Sequence, residues 1–152
     1  MSSHCILKKI VLVITLSVIS QSALHAQSTT MIEDYIWKKR LVLVFASQEN
    51  SPLLRQQHYD LHAEESALKE RDLLIFQVLP HRVVNQGEIW SAESAHKLRE
   101  RYQVGKEFCV ILIGKDGSEK LRSREIVSAR ELFSVIDAMP MRQREAREHR
   151  KD

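Results

Sequence analysis

The segment at residues 108–122 constrains the fold most, because its local structure follows from residue type alone. Residues 108–113 are an apolar, β-branched run of strand length, which is typical of a buried strand. Asp116 and Gly117 then predict a two-residue hairpin turn in which both residues have positive φ. Residues 119–122 return as a polar edge strand. We therefore expect a β-hairpin in this part of the chain.

Residues 1–26 have the pattern of a cleaved secretory signal peptide. Lys8 and Lys9 precede an apolar core at residues 10–19, and small residues lead to a cleavage site after Ala26. The core is half of the roughly 20 apolar residues that span a bilayer, so we expect no membrane span in the mature chain. Cleavage lowers the formal net charge from +3 to +1, since the segment holds two lysines and no acidic residue. That charge does not favour nucleic acid as a partner.

Cleavage leaves a single cysteine, Cys109, so no intramolecular disulfide can form. Cys109 lies inside the apolar run, where a cysteine is typically a small buried hydrophobe with an inert thiol. A reactive or intermolecularly paired thiol is the alternative interpretation.

The other apolar patterns predict alternating strands and helices. Residues 41–45 and 73–79 are continuous apolar runs that suit strands covered on both faces. Ser51 and Pro52 are a typical helix start, and this first helix is expected to run to about residue 70. The polar stretch around Gln86 and Gly87 is expected to be a surface loop.

Two further helices follow from capping residues. Ser91 predicts a second helix that ends before Gly105. Ser128 and Glu131 form a capping box for a last helix, which Pro140 is expected to stop.

This order of elements predicts an α/β fold, namely a single thioredoxin-like domain with a mixed four-stranded sheet, a C-terminal β-hairpin and flanking helices. The first two helices are expected to pack against the sheet, and the last helix is expected to cover the remaining apolar face. We expect the domain over residues 27–144 and a charged tail over residues 145–152. Element order predicts a fold and no function.

Three segments resemble a known family: WKKRLVLVFAS from Trp37, LIGKDGSEKLR from Leu112, and LFSVIDAMPMRQREAR from Leu132. They are similar to the bacterial branch of the DUDES domains, domain of unknown function 4174, and the resemblance covers about residues 32–147. It implies a thioredoxin-like, peroxiredoxin-related domain that bacteria export and whose animal relatives are extracellular-matrix and sushi-repeat proteins. It implies no catalytic residues.

Thioredoxin-type chemistry needs a cysteine where the first strand turns into the first helix, because the helix N-terminus lowers the thiol pKa. Residues 50–53 take the place of the Cys-x-x-Cys motif and read Asn-Ser-Pro-Leu, so dithiol exchange at this turn is excluded. The free backbone amides of the turn could instead bind a small anion or a partner's carboxylate. Four polar side chains surround them: Ser47, Gln48, Asn50 and Ser51.

A histidine pair on the first helix is a candidate metal site. His58 and His62 are one helical turn apart, and Glu65 follows three residues later. This set could hold zinc or copper, and the alternative is a solvated helix flank.

The predicted hairpin carries a charged cluster at its tip and edge: Lys115, Asp116, Lys120 and Arg122. The three cations are a candidate recognition patch. The alternative is that they protect a strand edge from pairing with another chain.

From these features we expect an exported, periplasmic or secreted, non-enzymatic module that binds an envelope or extracellular protein and has no cofactor. The alternative is a peroxiredoxin-like one-cysteine redox enzyme. It would use Cys109, which is expected near the position of the thioredoxin cis-proline.

Overall fold

The computed structural model describes residues 32–149, so the predicted signal peptide at residues 1–26 and the end of the predicted tail at residues 150–152 lie outside the described part. A short 3-10 turn, Ile32–Tyr35, precedes the first strand. Six strands follow: β1 Arg40–Phe45, β2 Leu73–Val78, β3 Val83–Asn85, β4 Glu88–Trp90, β5 Cys109–Ile113 and β6 Glu119–Ser123. Five α-helices accompany them: α1 Pro52–His62, α2 Glu65–Glu70, α3 Ala92–Arg101, α4 Ala129–Asp137 and α5 Pro140–Glu148.

The strands form one mixed sheet in the order β4-β3-β2-β1-β5-β6. β1 and β2 are parallel, because α1 and α2 connect them as a crossover, and every other pair is antiparallel. All six residues of β1 are buried, as expected for a central strand with helices on both faces. The predicted α/β class with a mixed sheet and flanking helices is confirmed.

Alternate residues of β1 enter two separate cores. Leu41, Leu43 and Phe45 pack with α3 on one face, and Val42 and Val44 pack with α1, α2 and α4 on the other. The prediction that the last helix covers the apolar face remaining after the first two helices is wrong, since α4 packs on the same face as α1. The buried side chain of Gln57 explains the placement, because it forms two hydrogen bonds of 2.8 Å with the backbone of Val127, just before α4.

The sheet has six strands where the sequence predicted four. The additional pair is the β3–β4 hairpin, which occupies the predicted surface loop. Gln86 and Gly87 connect its strands, with φ of +45° and +91°. Each strand has three residues and β4 is largely exposed, so neither carries the apolar run that identifies a strand in sequence.

The β5–β6 hairpin is present, but its turn differs from the prediction. Gly117 has a φ of +77°, whereas the φ of Asp116 is not positive. The Gly117 amide donates to the Gly114 carbonyl (3.0 Å), and the Gly114 amide donates to the Ser118 carbonyl (2.9 Å). This pattern is a type I turn followed by a left-handed glycine in a three-residue loop, and such a turn needs only one residue at positive φ.

The predicted serine caps are confirmed, and two predicted helix ends are wrong. Ser51, Ser91 and Ser128 each accept a hydrogen bond from the amide three residues later. The long first helix is interrupted at Ala63 and Glu64, so α1 and α2 are separate. Pro140 does not stop the last predicted helix, which already ends at Asp137; it is the first residue of α5. The predicted boundary between domain and tail therefore falls within α5.

Candidate functional site

The carboxyl ends of β1 and β2 lie side by side where α1 begins. Phe45 is in register with Val78, and residues 46–51 lead from β1 into α1. Pro52 is the first helical residue and Ser51 is the N-cap, with its hydroxyl 3.5 Å from the Leu54 amide. In open α/β sheets, ligands bind beside the carboxyl ends of parallel strands. This end of the sheet is therefore the first place to look for a site.

A groove of about 700 Å³ is present there, between the β1–α1 loop and α3. Ser47 and Gln48 line it from the loop, and both are exposed. His96, Arg99 and Lys106 line it from the opposite wall. Asn50 and Ser51 are not among the lining residues. Two of the four polar side chains predicted for this turn therefore contribute to the groove.

Arg99 lines the groove and forms hydrogen bonds with the carboxyl ends of both β1 and β2. Its Nη2 donates to the Ala46 carbonyl (2.6 Å) and to the Val78 carbonyl (2.9 Å), which are the first carbonyl after β1 and the last carbonyl of β2. Its Nη1 donates to the Gly105 carbonyl. The guanidinium lies over the Phe45 ring, 5.6 Å from its centroid. Burial lowers the Arg99 pKa, although the Glu107 charge partly opposes the shift.

The sequence contained a signal for Arg99 that was missed. Arg99 follows Ala95 by four residues, so it lies near the buried face of α3 rather than on the solvent face. An arginine in that position either pairs with a buried acceptor or extends to the surface. Here it binds three backbone carbonyls.

Cys109 lies beside this site but inside the core. It is the register partner of Phe45, the last residue of β1. Its side chain is 2% exposed. Burial raises the pKa of the thiol, and the nearby Arg122 charge offsets this only in part. The protonated thiol therefore predominates at neutral pH, and the approach of a substrate is blocked by packing.

The predicted metal set, His58, His62 and Glu65, lines one cavity, but His58 and Glu65 have other partners. The rings of His58 and His62 are 4.0 Å apart between centroids, so the two histidines meet as predicted. Gln77 Nε2 lies 2.8 Å from His58 Nδ1, and Glu65 pairs with Lys69 at 2.7 Å. Burial and the His62 charge lower the pKa of His58. Within residues 32–149 no three His, Cys, Asp or Glu side chains converge as a metal site, so Glu65 does not complete one. Metal binding by the histidine pair stays a prediction.

The three cations of the hairpin do not form one patch. Lys115 turns inward, with 10% of its side chain exposed, and its Nζ lies 2.8 Å from both Asp72 and Glu145. Lys120 pairs with Asp116 at 2.8 Å on the same turn. Arg122 binds Glu119 and donates to the Tyr102 carbonyl (2.9 Å). A recognition role for these residues stays a prediction, and Arg122 belongs to a different surface from the other two.

No helix in the described range is long and apolar enough to cross a bilayer. This finding concerns residues 32–149 alone.

Comparison with known proteins identifies a family and a fold. The profile of the family described as Domain of unknown function (DUF4174) matches residues 31–145. Two solved structures are similar at 14% sequence identity. The reduced 2-Cys peroxiredoxin of Plasmodium vivax has a TM-score of 0.57, and the match covers 74% of this chain and 84% of that one. Thioredoxin peroxidase I of Plasmodium yoelii has a TM-score of 0.53, and the match covers 76% of this chain and 79% of that one. At this identity the likeness shows the fold alone, and it confirms the predicted thioredoxin-like fold. No functionally curated protein matches the chain.

Proposed function

Because the chain belongs to the DUF4174 family, whose profile covers residues 31–145, and has a thioredoxin-like fold, we propose that it is an exported module that binds other proteins and catalyses no redox reaction. The observation that carries the proposal is the chemistry of the β1–α1 turn. The fold uses this turn to activate a thiol, and here it holds Asn50, Ser51, Pro52 and Leu53.

The remaining cysteine does not replace the missing pair. Cys109 is 2% exposed, and burial raises its thiol pKa, whereas a nucleophilic cysteine needs exposure and a lowered pKa. Both properties argue against the one-cysteine redox enzyme. A partner that binds at the carboxyl end of the sheet would therefore contact a surface of polar and apolar side chains rather than a reactive thiol.

The groove offers such a surface. Its volume of about 700 Å³ lies in the range of ligand-binding clefts. Leu53, in the first turn of α1 and outside the lining of the groove, is an apolar side chain with 42% exposure. Ser47 and Gln48 supply polar contacts, and Lys106 supplies a positive charge. An extended segment of a partner with a carboxylate fits this combination.

Export is proposed from the sequence of residues 1–26, with two lysines, an apolar core and a small-residue cleavage site. The partner would then be an envelope or extracellular protein. Detection of the mature chain starting at Gln27 outside the cytoplasm would support this, and retention of the full-length chain in the cytoplasm would contradict it.

Site-specific photo-crosslinking tests the binding role. A photoreactive residue at Gln48 places the probe in the groove, and one at Glu64 places it at the other end of α1, where the side chain is also exposed. We expect adducts with one envelope or extracellular protein from position 48 and none from position 64. Adducts from neither position, or the same adducts from both, would contradict binding through this groove.

A further inference from the structure

A second groove lies at the opposite end of the sheet. β1 begins here at Arg40, and the β5–β6 turn follows Ile113, the register partner of Leu41. The groove has a volume of about 280 Å³, and its lining includes four cations: Arg40, Lys115, Lys120 and Arg144. Met139 and Met141 form an apolar wall.

Arg40 supplies a buried donor without an acceptor. The residue is 1% exposed. Its Nη1 donates to the Arg71 carbonyl (2.8 Å), and its Nη2 donates to Glu145 (3.0 Å). Its Nε has no hydrogen-bond partner among the described residues. Native structures rarely leave a buried donor unpaired, because the lost hydration is not replaced. Arg40 lines the groove, so the unsatisfied donor belongs to a residue of the groove wall.

The N-terminus of α5 lies at the same place. α5 has nine residues and starts with Pro140, and its N-cap residue Met139 forms no side-chain hydrogen bond. Met139, Pro140 and Met141 all line the groove. Pro140 has no amide hydrogen, so this end of the helix offers an anion the amides of Met141 and Arg142 and the positive end of the helix dipole.

Positive charge exceeds negative charge around the groove by two. The ion pairs here join three carboxylates, Asp72, Asp116 and Glu145, to four cations, Lys39, Arg40, Lys115 and Lys120. Arg144, which also lines the groove, is the fifth cation. Arg144 Nε donates a hydrogen bond to the Pro140 carbonyl (3.4 Å), and Arg144 forms no ion pair with another described residue. A bound dianion would balance the set.

We propose that this groove binds a small doubly charged oxyanion, either a phosphoryl group or a dicarboxylate. Arginine guanidinium groups match the geometry of both. The cavity of about 280 Å³ is slightly smaller than the roughly 300–1,000 Å³ of typical ligand pockets, which fits a compact ligand with a short apolar part beside the two methionines. This site is separate from the groove at the carboxyl end and does not depend on the redox state of Cys109.

Calorimetric titration with inorganic phosphate and with glutarate, each at pH 7 and compared with sodium chloride of equal ionic strength, tests the proposal. We expect saturable binding of one phosphate or one glutarate per chain, and the tighter probe identifies the ligand class. Arg144→Gln removes a cation that has no structural ion pair, so the variant should fold normally and bind about tenfold more weakly. Arg147→Gln is the matched control, because Arg147 is exposed on the same helix and is not among the residues that line this groove.

Two results would overturn the site. The first is the absence of saturable binding by either probe beyond the chloride blank. The second is an equal loss of binding in Arg144→Gln and Arg147→Gln, which would indicate general attraction to a cationic helix rather than a defined groove.

Discussion

Gly117 is the residue on which the β5–β6 hairpin depends. Its φ of +77° lies in the left-handed region, and a Cβ at this position would lie 3.1 Å from Ile36 Cδ1. We therefore expect Gly117→Val to lower the free energy of unfolding by more than the ~1–2 kcal/mol that a left-handed residue costs. Chemical denaturation monitored by circular dichroism measures this loss.

Gly87 provides the control for that substitution. Its φ is also positive, +91°, but a Cβ there would meet no atom within 4 Å. Gly87→Val should therefore pay the backbone cost alone and lose less stability than Gly117→Val. If Gly117→Val matched the parent protein, the left-handed glycine would not be needed at the turn.

The thiol of Cys109 should be inert in the folded protein. Because burial raises its pKa from the ordinary value of 9.0, little thiolate is present at pH 7. We expect a thiol reagent to label Cys109 only as fast as the protein unfolds. Ser118→Cys in a Cys109→Ala background carries an exposed thiol on the hairpin turn and should label rapidly. Rapid labelling of the native parent protein would contradict the burial of Cys109.

Among the elements, those with strong local signals were predictable from sequence. The apolar runs of β1, β2 and β5 and the three serine caps identified most of the architecture. The β3–β4 hairpin was not predictable, because β3 is held by pairing with β2, and β4 by pairing with β3, rather than by the composition of either strand. The two turns were harder still. A two-residue turn with both residues at positive φ is present at Gln86 and Gly87. An Asp-Gly pair usually indicates such a turn, but Asp116 and Gly117 adopt a different one.

Sequence predicted the residues of the candidate site only where the position of the backbone alone places a residue at the groove. Placing the β1–α1 turn located Ser47 and Gln48 at the groove. Arg99 and Lys115 were different, because their contacts are made by the far ends of long side chains with residues distant in sequence. Sequence patterns describe which face a residue occupies, and they do not describe where a flexible cation finds its acceptor.

α5 is held to the sheet by charge. Its only buried residue is Arg142, and Glu145 binds both Arg40 (3.0 Å) and Lys115 (2.8 Å). Glu145→Gln leaves Arg40 without its carboxylate, so we expect a loss of about 2 kcal/mol at pH 7. This is less than the ~3–5 kcal/mol of a fully buried pair, because the Glu145 side chain is 21% exposed. Glu148→Gln, on the exposed face of the same helix, should change the free energy of unfolding by less than about 0.5 kcal/mol.

The effect of Glu145 should depend on pH in a defined direction. Burial alone would raise its pKa, but hydrogen bonds from Lys115 and Arg40 outweigh burial and lower it from the ordinary value of 4.5. A lowered folded-state pKa means that the stabilisation is complete above pH 4.5 and is lost as the pH falls through the folded-state value. The difference between the parent protein and Glu145→Gln in urea unfolding should therefore shrink below pH 4.5. A difference that stayed constant down to pH 3 would contradict the ion pairs.

At the scale of the molecule, the two ends of the sheet have different properties. The carboxyl end keeps the position of the thioredoxin site but carries no thiol at the β1–α1 turn, and Arg99 holds the strand ends in place. The amino end collects cations from β1, the hairpin and α5 around a small groove. Both features are consistent with the binding role proposed above.

Turnover of peroxide and of a disulfide substrate, measured side by side for the parent protein and Cys109→Ala with a thiol reductant present, tests the central claim most directly. Since the only thiol of the described chain is buried and the β1–α1 turn holds none, we predict that both proteins match the uncatalysed rate with either substrate. Turnover by the parent protein that disappears in Cys109→Ala would contradict a non-catalytic module and would establish the one-cysteine redox enzyme instead.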